Sequence, residues 1–468
     1  MTWAVIQQIG GQAASFVTFL VLALILRPEE IGVVAMANAW LGIVGAFAEA
    51  GLGAALIQRA DVEPPHVHST FLLNVATGVA LALVGLLLSW PASVFFHSAE
   101  VLPVMAVLSI GFIIRSFGLT QAALLQRRLD FKALAVRDTL ANAGGGVLGI
   151  AMALAGAGVW SYVGMSLAVA LLSVILVWRS VDWRPRISEF SRAHARQLWG
   201  YGSRVLGFNL LKAFSQNTDR LLLGHLLGPS AVGSYALAYR VVLFPVTSFA
   251  SAISNHFFPH VSRLQADQNA VRLEYTRYLR IILSISLPLA LAAALAGGPI
   301  LELVFGPRWA AAAKVIPWLA LVAVAWAAFS PFGQLLKGLN RPGRLIIWSA
   351  AYTVVTSAAL ALGAAGGLED AAAAFAAANL VLVPVAYWLG KVWVGVTPSV
   401  RPALWTPLLV ATVGMAAVLG VARMAVTGAN GLLVAIALGA GVTVYLALLL
   451  RLAPELNPRR AVVVRERP

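Results

Sequence analysis

The sequence predicts an all-α membrane protein that crosses the bilayer about 14 times. Of its 468 residues, 60% are apolar and only 11% are charged, which excludes an ordinary soluble domain. Apolar runs of roughly 20 residues recur along the chain, as in transmembrane helices. Alternating segments of about ten residues, which would indicate transmembrane β-strands, do not occur.

Fourteen segments are predicted to span the membrane, with boundaries defined to within a few residues. The glycine-rich segment 136–155 and the alanine-rich segment 371–390 give the weakest signals. The fourteen segments cover residues 4–26, 32–57, 69–91, 102–125, 136–155, 158–178, 203–227, 232–258, 280–301, 315–336, 345–365, 371–390, 403–423 and 431–450.

The 33 lysines and arginines are distributed unevenly over the predicted loops. If the N-terminus is cytoplasmic, most of them fall in cytoplasmic segments, and only Arg27, Arg308, Lys314 and Arg423 fall on the other side. By the positive-inside rule, both termini are then cytoplasmic. The same rule accounts for the net charge of +15 without a nucleic-acid partner. Without cysteine, the chain has no disulfide and no thiolate metal site.

A weak internal repeat divides the chain. Pro28 matches Pro229 and Gly32 matches Gly233 at an offset of 201 residues. Six segments lie in each copy, so the copies insert in the same orientation, and a substrate site is expected between the halves. The predicted regions are a six-helix lobe over 1–180, a basic cytoplasmic linker over 181–200, a second six-helix lobe over 201–395, an appended helix pair over 396–450 and a basic cytoplasmic tail over 451–468.

The seventh segment carries a polar stripe. At about 100° per helical residue, Asn209, Lys212, Gln216, Asp219 and Arg220 fall within an arc of about 100°. Charges at membrane depth are unfavourable and usually face a cavity or a partner. The stripe therefore predicts one wall of a polar cavity. The repeat aligns Gln8, Ser15 and Thr18 with Asn209, Gln216 and Asp219, which predicts an uncharged opposite wall.

Six ionisable residues lie inside predicted segments. Four are basic and two are acidic, which favours an anionic substrate. The six are Arg115, Lys212, Arg220, Arg240, Glu49 and Asp219. Each basic residue has a structural alternative, either a salt bridge or snorkelling of its stem to the interface. Glu49 and Asp219 are predicted as H+ or Na+ coupling sites or as salt-bridge partners of Arg115 or Arg240, and the two interpretations are compatible.

Several short motifs recur in order along the chain. They are Asn217 to Gly224, Leu227 to Pro229, Gly233 to Tyr235, Leu303 to Trp309 and the first-half turn from Pro28 to Gly53. With these motifs the chain resembles the polysaccharide transporter family of lipid-linked oligosaccharide flippases, in the superfamily of multidrug, oligosaccharidyl-lipid and polysaccharide exporters. The resemblance extends from residue 1 to about residue 450.

The resemblance implies a bilobed fold with a cationic cavity that opens to one side at a time. It implies movement of an undecaprenyl-diphosphate-linked glycan from the cytoplasmic to the periplasmic leaflet of the bacterial cytoplasmic membrane. Arginine suits a diphosphate because its planar fork donates two parallel hydrogen bonds. The expected substrate contacts are Arg115, Lys212, Gln216, Arg220 and Arg240. Tyr235 and Tyr239 are candidates for stacking on sugars, with a place at an interface or in the packed core as the commoner alternative.

By analogy with a relative in that superfamily, the appended pair is expected to hold the lipid tail. Membrane lipid is therefore an expected partner. Polysaccharide polymerase or export machinery is a candidate partner, and a monomer is expected. Neither a cofactor nor a bound metal is predicted. A metal site at His66 and His68 is disfavoured, and for His256 and His260 a role at the interfacial end of a helix is favoured over a metal pair.

The alternatives to a flippase are a multidrug extruder and a membrane oligosaccharide polymerase or ligase. A multidrug extruder handles cations, so its cavity should be acidic, whereas the basic residues here outnumber the acidic ones. A membrane oligosaccharide polymerase or ligase is an enzyme that needs a sizeable outward loop with reactive groups. Each predicted outward loop is about a dozen residues or shorter. The transporter without enzymatic activity is therefore favoured.

Overall fold

A computed structural model describes residues 2–48, 53, 56–57, 59, 61–399, 401–425 and 431–453. Within these ranges the chain forms helices and no strand. In the first part of the chain the helices are α1 (Thr2–Ile25), α2 (Pro28–Gly45), α3 (Pro64–Phe95), α4 (Val101–Arg127), α5 (Phe131–Leu154), α6 (Val159–Arg179) and α7 (Arg192–Leu264).

The second part continues with α8 (Gln268–Ala292), a π turn (Ala293–Gly297), α9 (Gly298–Phe305), α10 (Ala310–Gly338), α11 (Pro342–Gly363), α12 (Leu368–Val394), α13 (Pro402–Ala425) and α14 (Gly431–Leu452). Each predicted segment overlaps at least one of these helices. Segment 32–57 extends beyond the end of α2 at Gly45 into residues that the structure describes only in part, and segment 280–301 continues from α8 through the π turn into α9. A helix satisfies its backbone hydrogen bonds internally, which is what a lipid environment demands. The prediction of an all-α protein with multiple membrane spans is confirmed.

Helix α7 contains two predicted segments in one helical run of 73 residues. At 1.5 Å per residue, a straight helix of that length would be about three times longer than the hydrocarbon core. The run is interrupted at Gly228, whose φ of 79° and ψ of −175° lie outside the helical region. A positive φ strains other residues but not glycine. Gly228 thus separates the seventh predicted segment from the eighth.

Helix starts and ends follow local chemistry. Proline, which lacks an N–H group, occupies the first helical position of α2, α3 and α11. The Asp130 carboxylate caps α5 by accepting a hydrogen bond from the Ala133 N–H at 3.0 Å. The Asp267 carboxylate caps α8 in the same way, accepting from the Asn269 and Ala270 N–H groups. These caps fix where the loops between helices lie.

The described chain divides into two compact units, Met1–Ala236 and Leu237–Pro468. This division does not test the predicted lobes, linker, helix pair and tail, which stay predictions. Within the second unit, α13 and α14 pack together on α8 through Met415, Tyr445 and Leu287. The Tyr445 hydroxyl also donates to the Ser284 carbonyl of α8 at 2.8 Å.

The predicted linker is held against the start of α3 in the first unit. Its extended backbone donates from the Arg186 N–H to Nδ1 of His68 at 2.8 Å. Nε2 of His68 lies 3.0 Å from the Glu189 carboxylate. Ser191 donates its N–H to the Ser69 hydroxyl at 3.0 Å. These contacts give His68 a structural role and fix the direction from which the chain enters α7.

The two turns related by the internal repeat touch each other. A Cβ atom on Gly32 would overlap the carbonyl oxygen of Pro229, and a Cβ atom on Gly233 would overlap the carbonyl oxygen of Pro28. The contact is reciprocal, as expected of two copies of one motif that meet about a pseudo-twofold axis. Glycine is needed at both positions because the backbones leave no room for a side chain.

Candidate functional site

A polar cavity of about 370 Å³ lies within the first unit, where α2, α3, α4 and α6 meet. Most of its polar atoms belong to amides, hydroxyls and one guanidinium. They come from Asn38, Asn74, Thr77, Arg115, Ser116 and Ser166. The cavity also has four glycines in its wall, Gly42, Gly45, Gly78 and Gly111. At Gly78 a Cβ atom would come within 2.5 Å of the Ser116 Cβ, so this glycine lets α3 and α4 pack closely.

Arg115 supplies the positive charge of the cavity. It lies near the middle of α4 (Val101–Arg127), and its side chain is exposed to the cavity space. Among the described residues, no carboxylate forms an ion pair with it. A position so far from either helix end puts the water interface beyond easy reach of the side chain. The arrangement can bind an anion at membrane depth.

The polar side chains beside Arg115 differ in how much of their hydrogen-bonding capacity is already used inside the protein. Asn74 donates from Nδ2 to the Thr120 hydroxyl at 3.0 Å, so part of its hydrogen-bonding capacity is used inside the bundle. Ser116 donates to the Ile113 carbonyl of its own helix. Asn38 is exposed one turn before Gly42 on α2. The cavity therefore offers hydrogen-bonding groups around a single cation, as polar ligands require.

The predicted polar stripe on α7 splits into two environments. Lys212 and Gln216 are exposed, whereas Asp219 and Arg220 are half-buried. Between them, Asn217 contacts Gly42 of α2: its amide lies 3.0 Å from where a Gly42 Cβ would be. Since Gly42 lines the Arg115 cavity, this part of α7 borders the cavity wall.

Asp219 is held by two hydrogen bonds. Its Oδ2 accepts from the Tyr235 hydroxyl at 3.0 Å, and its Oδ1 accepts from the Arg220 backbone N–H at 2.8 Å. Tyr235 is fully buried. Tyr235, predicted either to stack on a sugar or to pack in the core, is thus buried, and its hydroxyl bonds to the carboxylate predicted to couple transport to an ion. Sugar stacking by Tyr235 stays a prediction, and the hydrogen bond gives this residue a second role, as the group that orients Asp219.

Replacing Tyr235 by Phe is expected to lower the free energy of unfolding by about 1–2 kcal/mol, because a carboxylate at membrane depth loses a hydrogen-bond donor. The measurement is denaturant or thermal unfolding of the purified protein in detergent. Tyr162→Phe is the matched control, since Tyr162 is half-buried in the same unit. Equal stability of the two variants would show that the Tyr235 hydroxyl does not support Asp219.

Tyr239 and Arg240 lie at the start of the second unit. Both are half-buried. The Tyr239 ring meets the Trp326 ring edge to face, with centroids 6.1 Å apart. The Arg240 guanidinium lies 5.9 Å from the Phe244 ring centroid. Their predicted substrate roles stay predictions. Glu49, the other predicted coupling residue, lies outside the described residues.

The sequence did not predict two buried polar residues of the second unit, Arg280 and Asn379. The sequence places Arg280 among the cytoplasmic basic residues, but it is buried in α8, which begins earlier than the predicted ninth segment. Asn379 is fully buried and bonded to Trp326 and Tyr352. The sequence signal that could have identified Asn379 is that it is a lone asparagine in the alanine-rich segment 371–390.

A histidine cluster joins the starts of α3 and α7. One ligand atom each from Glu63, His66 and His194 lies within 4.8 Å of the others. However, Nδ1 of His66 accepts a hydrogen bond from the Glu63 N–H at 3.2 Å. In the neutral ring Nε2 then carries the proton and has no lone pair for a metal. This chemistry suits a helix-capping role at the start of α3.

A profile of the family described as polysaccharide biosynthesis protein matches residues 21–314, which is more than half of the chain. The chain belongs to this family. The family resemblance predicted from the sequence is thus confirmed.

Among relatives in this family, the succinoglycan biosynthesis transport protein ExoT of Rhizobium meliloti (strain 1021) is 27% identical over 372 residues, which cover 78% of this chain and 74% of ExoT. The teichuronic acid biosynthesis protein TuaB of Bacillus subtilis (strain 168) is 26% identical over 343 residues, which cover 72% of this chain and 71% of TuaB. These alignments extend over most of both chains.

Solved structures share the fold. The lipid II flippase MurJ, in an inward closed conformation, has a TM-score of 0.78 at 11% identity, covering 97% of this chain and all of that chain. An inward-facing multidrug resistance transporter of the MATE family has a TM-score of 0.68 at 16% identity, covering 84% and 98%. At such identities the likeness concerns the fold alone, and it shows that this polysaccharide biosynthesis protein shares its helical membrane fold with these two proteins.

Proposed function

We propose that this protein is a flippase that moves an undecaprenyl-diphosphate-linked oligosaccharide from the cytoplasmic to the periplasmic leaflet for polysaccharide export. The observation that carries the proposal is Arg115, a cation in a polar cavity near the middle of a membrane helix, with no carboxylate partner among the described residues. A charge at that depth is unfavourable unless it faces a polar cavity or a partner, and a charge that lines a cavity is available to a ligand. An anionic head group on a lipid is such a ligand.

The relatives support the same substrate class. ExoT is named a transport protein of succinoglycan biosynthesis, and TuaB is named a protein of teichuronic acid biosynthesis. Polysaccharide made on a lipid carrier must bring its charged and hydroxylated head across the bilayer while the lipid tail stays in the membrane. A cavity of amides, hydroxyls and one guanidinium suits that head, and a bilayer-exposed helix pair such as α13–α14 suits the tail.

Alternating access is the mechanism proposed for this movement. The cavity would bind the head from one side and release it to the other after a change in conformation. Lys212, Gln216 and Arg220 are proposed to contact the head along α7, and Asp219 and Glu49 are proposed to couple the movement to H+ or Na+. The basic loops support a cytoplasmic position for both termini in the bacterial cytoplasmic membrane.

The multidrug extruder remains the alternative transporter because the MATE fold also matches. An extruder of cations needs acidic groups in its cavity, and the lining of the Arg115 cavity contains no acidic residue among the described ones. A polymerase or ligase is disfavoured since ExoT carries the name of a transport protein. The anionic, lipid-linked substrate therefore explains the site best.

Deletion of the gene is expected to abolish the surface polysaccharide and to cause a lipid-linked oligosaccharide to accumulate at the cytoplasmic face. The measurement is mass spectrometry of extracted lipids together with quantification of surface glycan, with the wild-type gene restored on a plasmid as the control. If the deletion strain has normal surface glycan and is more sensitive to toxic cations than the wild type, the extruder is favoured instead.

A further inference from the structure

The second unit contains a cluster of aromatic side chains, Tyr239, Trp326, Phe329 and Tyr352, which we name the aromatic platform. The Trp326 ring meets Tyr239 with centroids 6.1 Å apart, and the Phe329 ring meets Tyr352 with centroids 5.6 Å apart. All four side chains are half-buried, so part of each ring remains accessible. The platform therefore keeps partly accessible ring faces, while Phe329 and Tyr352 also pack against the core around Trp348.

Asn379 fixes the polar edge of the platform. Its Oδ1 accepts hydrogen bonds from the Trp326 indole N–H at 2.9 Å and from the Tyr352 hydroxyl at 2.8 Å. Its Nδ2 donates to the Phe375 carbonyl of its own helix at 2.8 Å, and the side chain is fully buried. The Trp326 N–H also donates to the Tyr352 hydroxyl at 2.7 Å, so the buried amide and this direct bond together hold two rings on different helices in one orientation.

The cluster lies at the depth where transporters bind substrate. Trp326 is near the middle of α10 (Ala310–Gly338), Tyr352 near the middle of α11 and Asn379 near the middle of α12 (Leu368–Val394). Interhelical hydrogen bonds of this kind also tie membrane helices together. Packing alone, however, does not require partly accessible rings with oriented polar edges, and these are the features of a ligand surface.

The chemistry of the platform matches a neutral sugar ring. A pyranose has a face of C–H groups, which packs on the face of an aromatic ring. None of the four platform side chains carries a charge, unlike the Arg115 cavity of the first unit. We propose that the aromatic platform binds a sugar of the lipid-linked glycan, with Asn379 as its positioning residue. This inference rests on the proposed function.

The test compares two lipids, undecaprenyl diphosphate and the same lipid carrying one glucose. Their dissociation constants are measured on the full-length protein in nanodiscs. Wild-type protein is expected to bind the glucose-bearing lipid about tenfold more tightly, which is the scale of one aromatic contact. Trp326→Leu should reduce that ratio to about one and leave the affinity for undecaprenyl diphosphate unchanged. Trp388→Leu is the matched control, because Trp388 is a largely exposed tryptophan on α12.

Three further variants separate the effect of Asn379 on the orientation of the rings from a general loss of protein stability. Asn379→Leu removes the shared acceptor and should lower the ratio about threefold or more, whereas Asn379→Asp keeps an acceptor oxygen and should restore it. If Trp326→Leu does not fold, Trp326→Phe keeps a ring without the N–H and should still lower the ratio about threefold.

The outcomes distinguish the two proposals. A wild-type ratio of about one, or an unchanged ratio in folded Trp326 and Asn379 variants, would overturn the platform and leave the flippase intact. Failure of the wild-type protein to bind either lipid would overturn the proposed function and the platform with it.

Discussion

Arg115→Ala is expected to reduce export of the glycan at least about tenfold at unchanged protein level, because a charged hydrogen bond to the substrate is lost. Arg115→Lys should fall between the wild type and Arg115→Ala, since lysine keeps the charge but not the planar fork. Surface glycan and accumulated lipid-linked oligosaccharide are measured in the complemented deletion strain. Arg128→Ala is the matched control, as Arg128 is exposed at the end of the same helix.

Normal export by Arg115→Ala at wild-type abundance would remove the anion-binding role of the cavity. A double mutant with Glu49→Gln tests the salt-bridge alternative. If Glu49 is the partner of Arg115, the two single mutants should resemble each other and their effects should not add. If Arg115 acts on the substrate, Glu49→Gln should leave the lipid-binding affinity near that of the wild type.

Gly32→Ala and Gly233→Ala are each expected to destabilise the protein by about 3 kcal/mol or more, with a matching loss of folded yield and export. In both variants the new methyl group would overlap a proline carbonyl oxygen, Pro229 for the first and Pro28 for the second. Backbone atoms cannot rotate away as the end of a flexible side chain can, so the two turns must separate. Thermal unfolding in detergent and the yield of monodisperse protein give the measurement.

Gly420→Ala and Gly439→Ala are the controls for this prediction. Both glycines are helical, and a Cβ atom on either would meet nothing within 4 Å. Alanine is the better helix former, so these variants should be at least as stable as the wild type. The double mutant Gly32→Ala/Gly233→Ala should cost less than the sum of the single mutants because one separation relieves both overlaps. Additive or negligible effects would contradict the reciprocal contact.

The class of fold could be predicted from the sequence because bilayer thickness fixes the length of each apolar run. Even the weak segments 136–155 and 371–390 are helices in the structure. Where the chain breaks a helix was harder to predict. The turn between the seventh and eighth segments is a single residue, Gly228, within one helical run. A mean hydropathy pattern does not resolve one residue with a positive φ.

The candidate site could be predicted only in part. The depth of Arg115 follows from its position in an apolar segment, but its neighbours Asn38 and Ser166 lie on other helices. Periodicity shows which face of a helix is polar and does not show which helices meet there. Tyr235 illustrates the same limit: its closeness to Asp219 depends on the change in direction at Gly228, between the two residues. The buried position of Asn379 could not be predicted, because one asparagine among alanines forms no periodic pattern.

The reciprocal contact of the two turns has an evolutionary consequence. A gene duplication would first have produced two identical turns, and the contact makes each glycine necessary to the other copy as well as to its own. A mutation in either codon would be selected against even while the helices on both sides diverged. We therefore expect homologous chains to retain glycine at the positions of both Gly32 and Gly233. This pair should then still show how the two halves align with each other after other traces of the duplication have been lost.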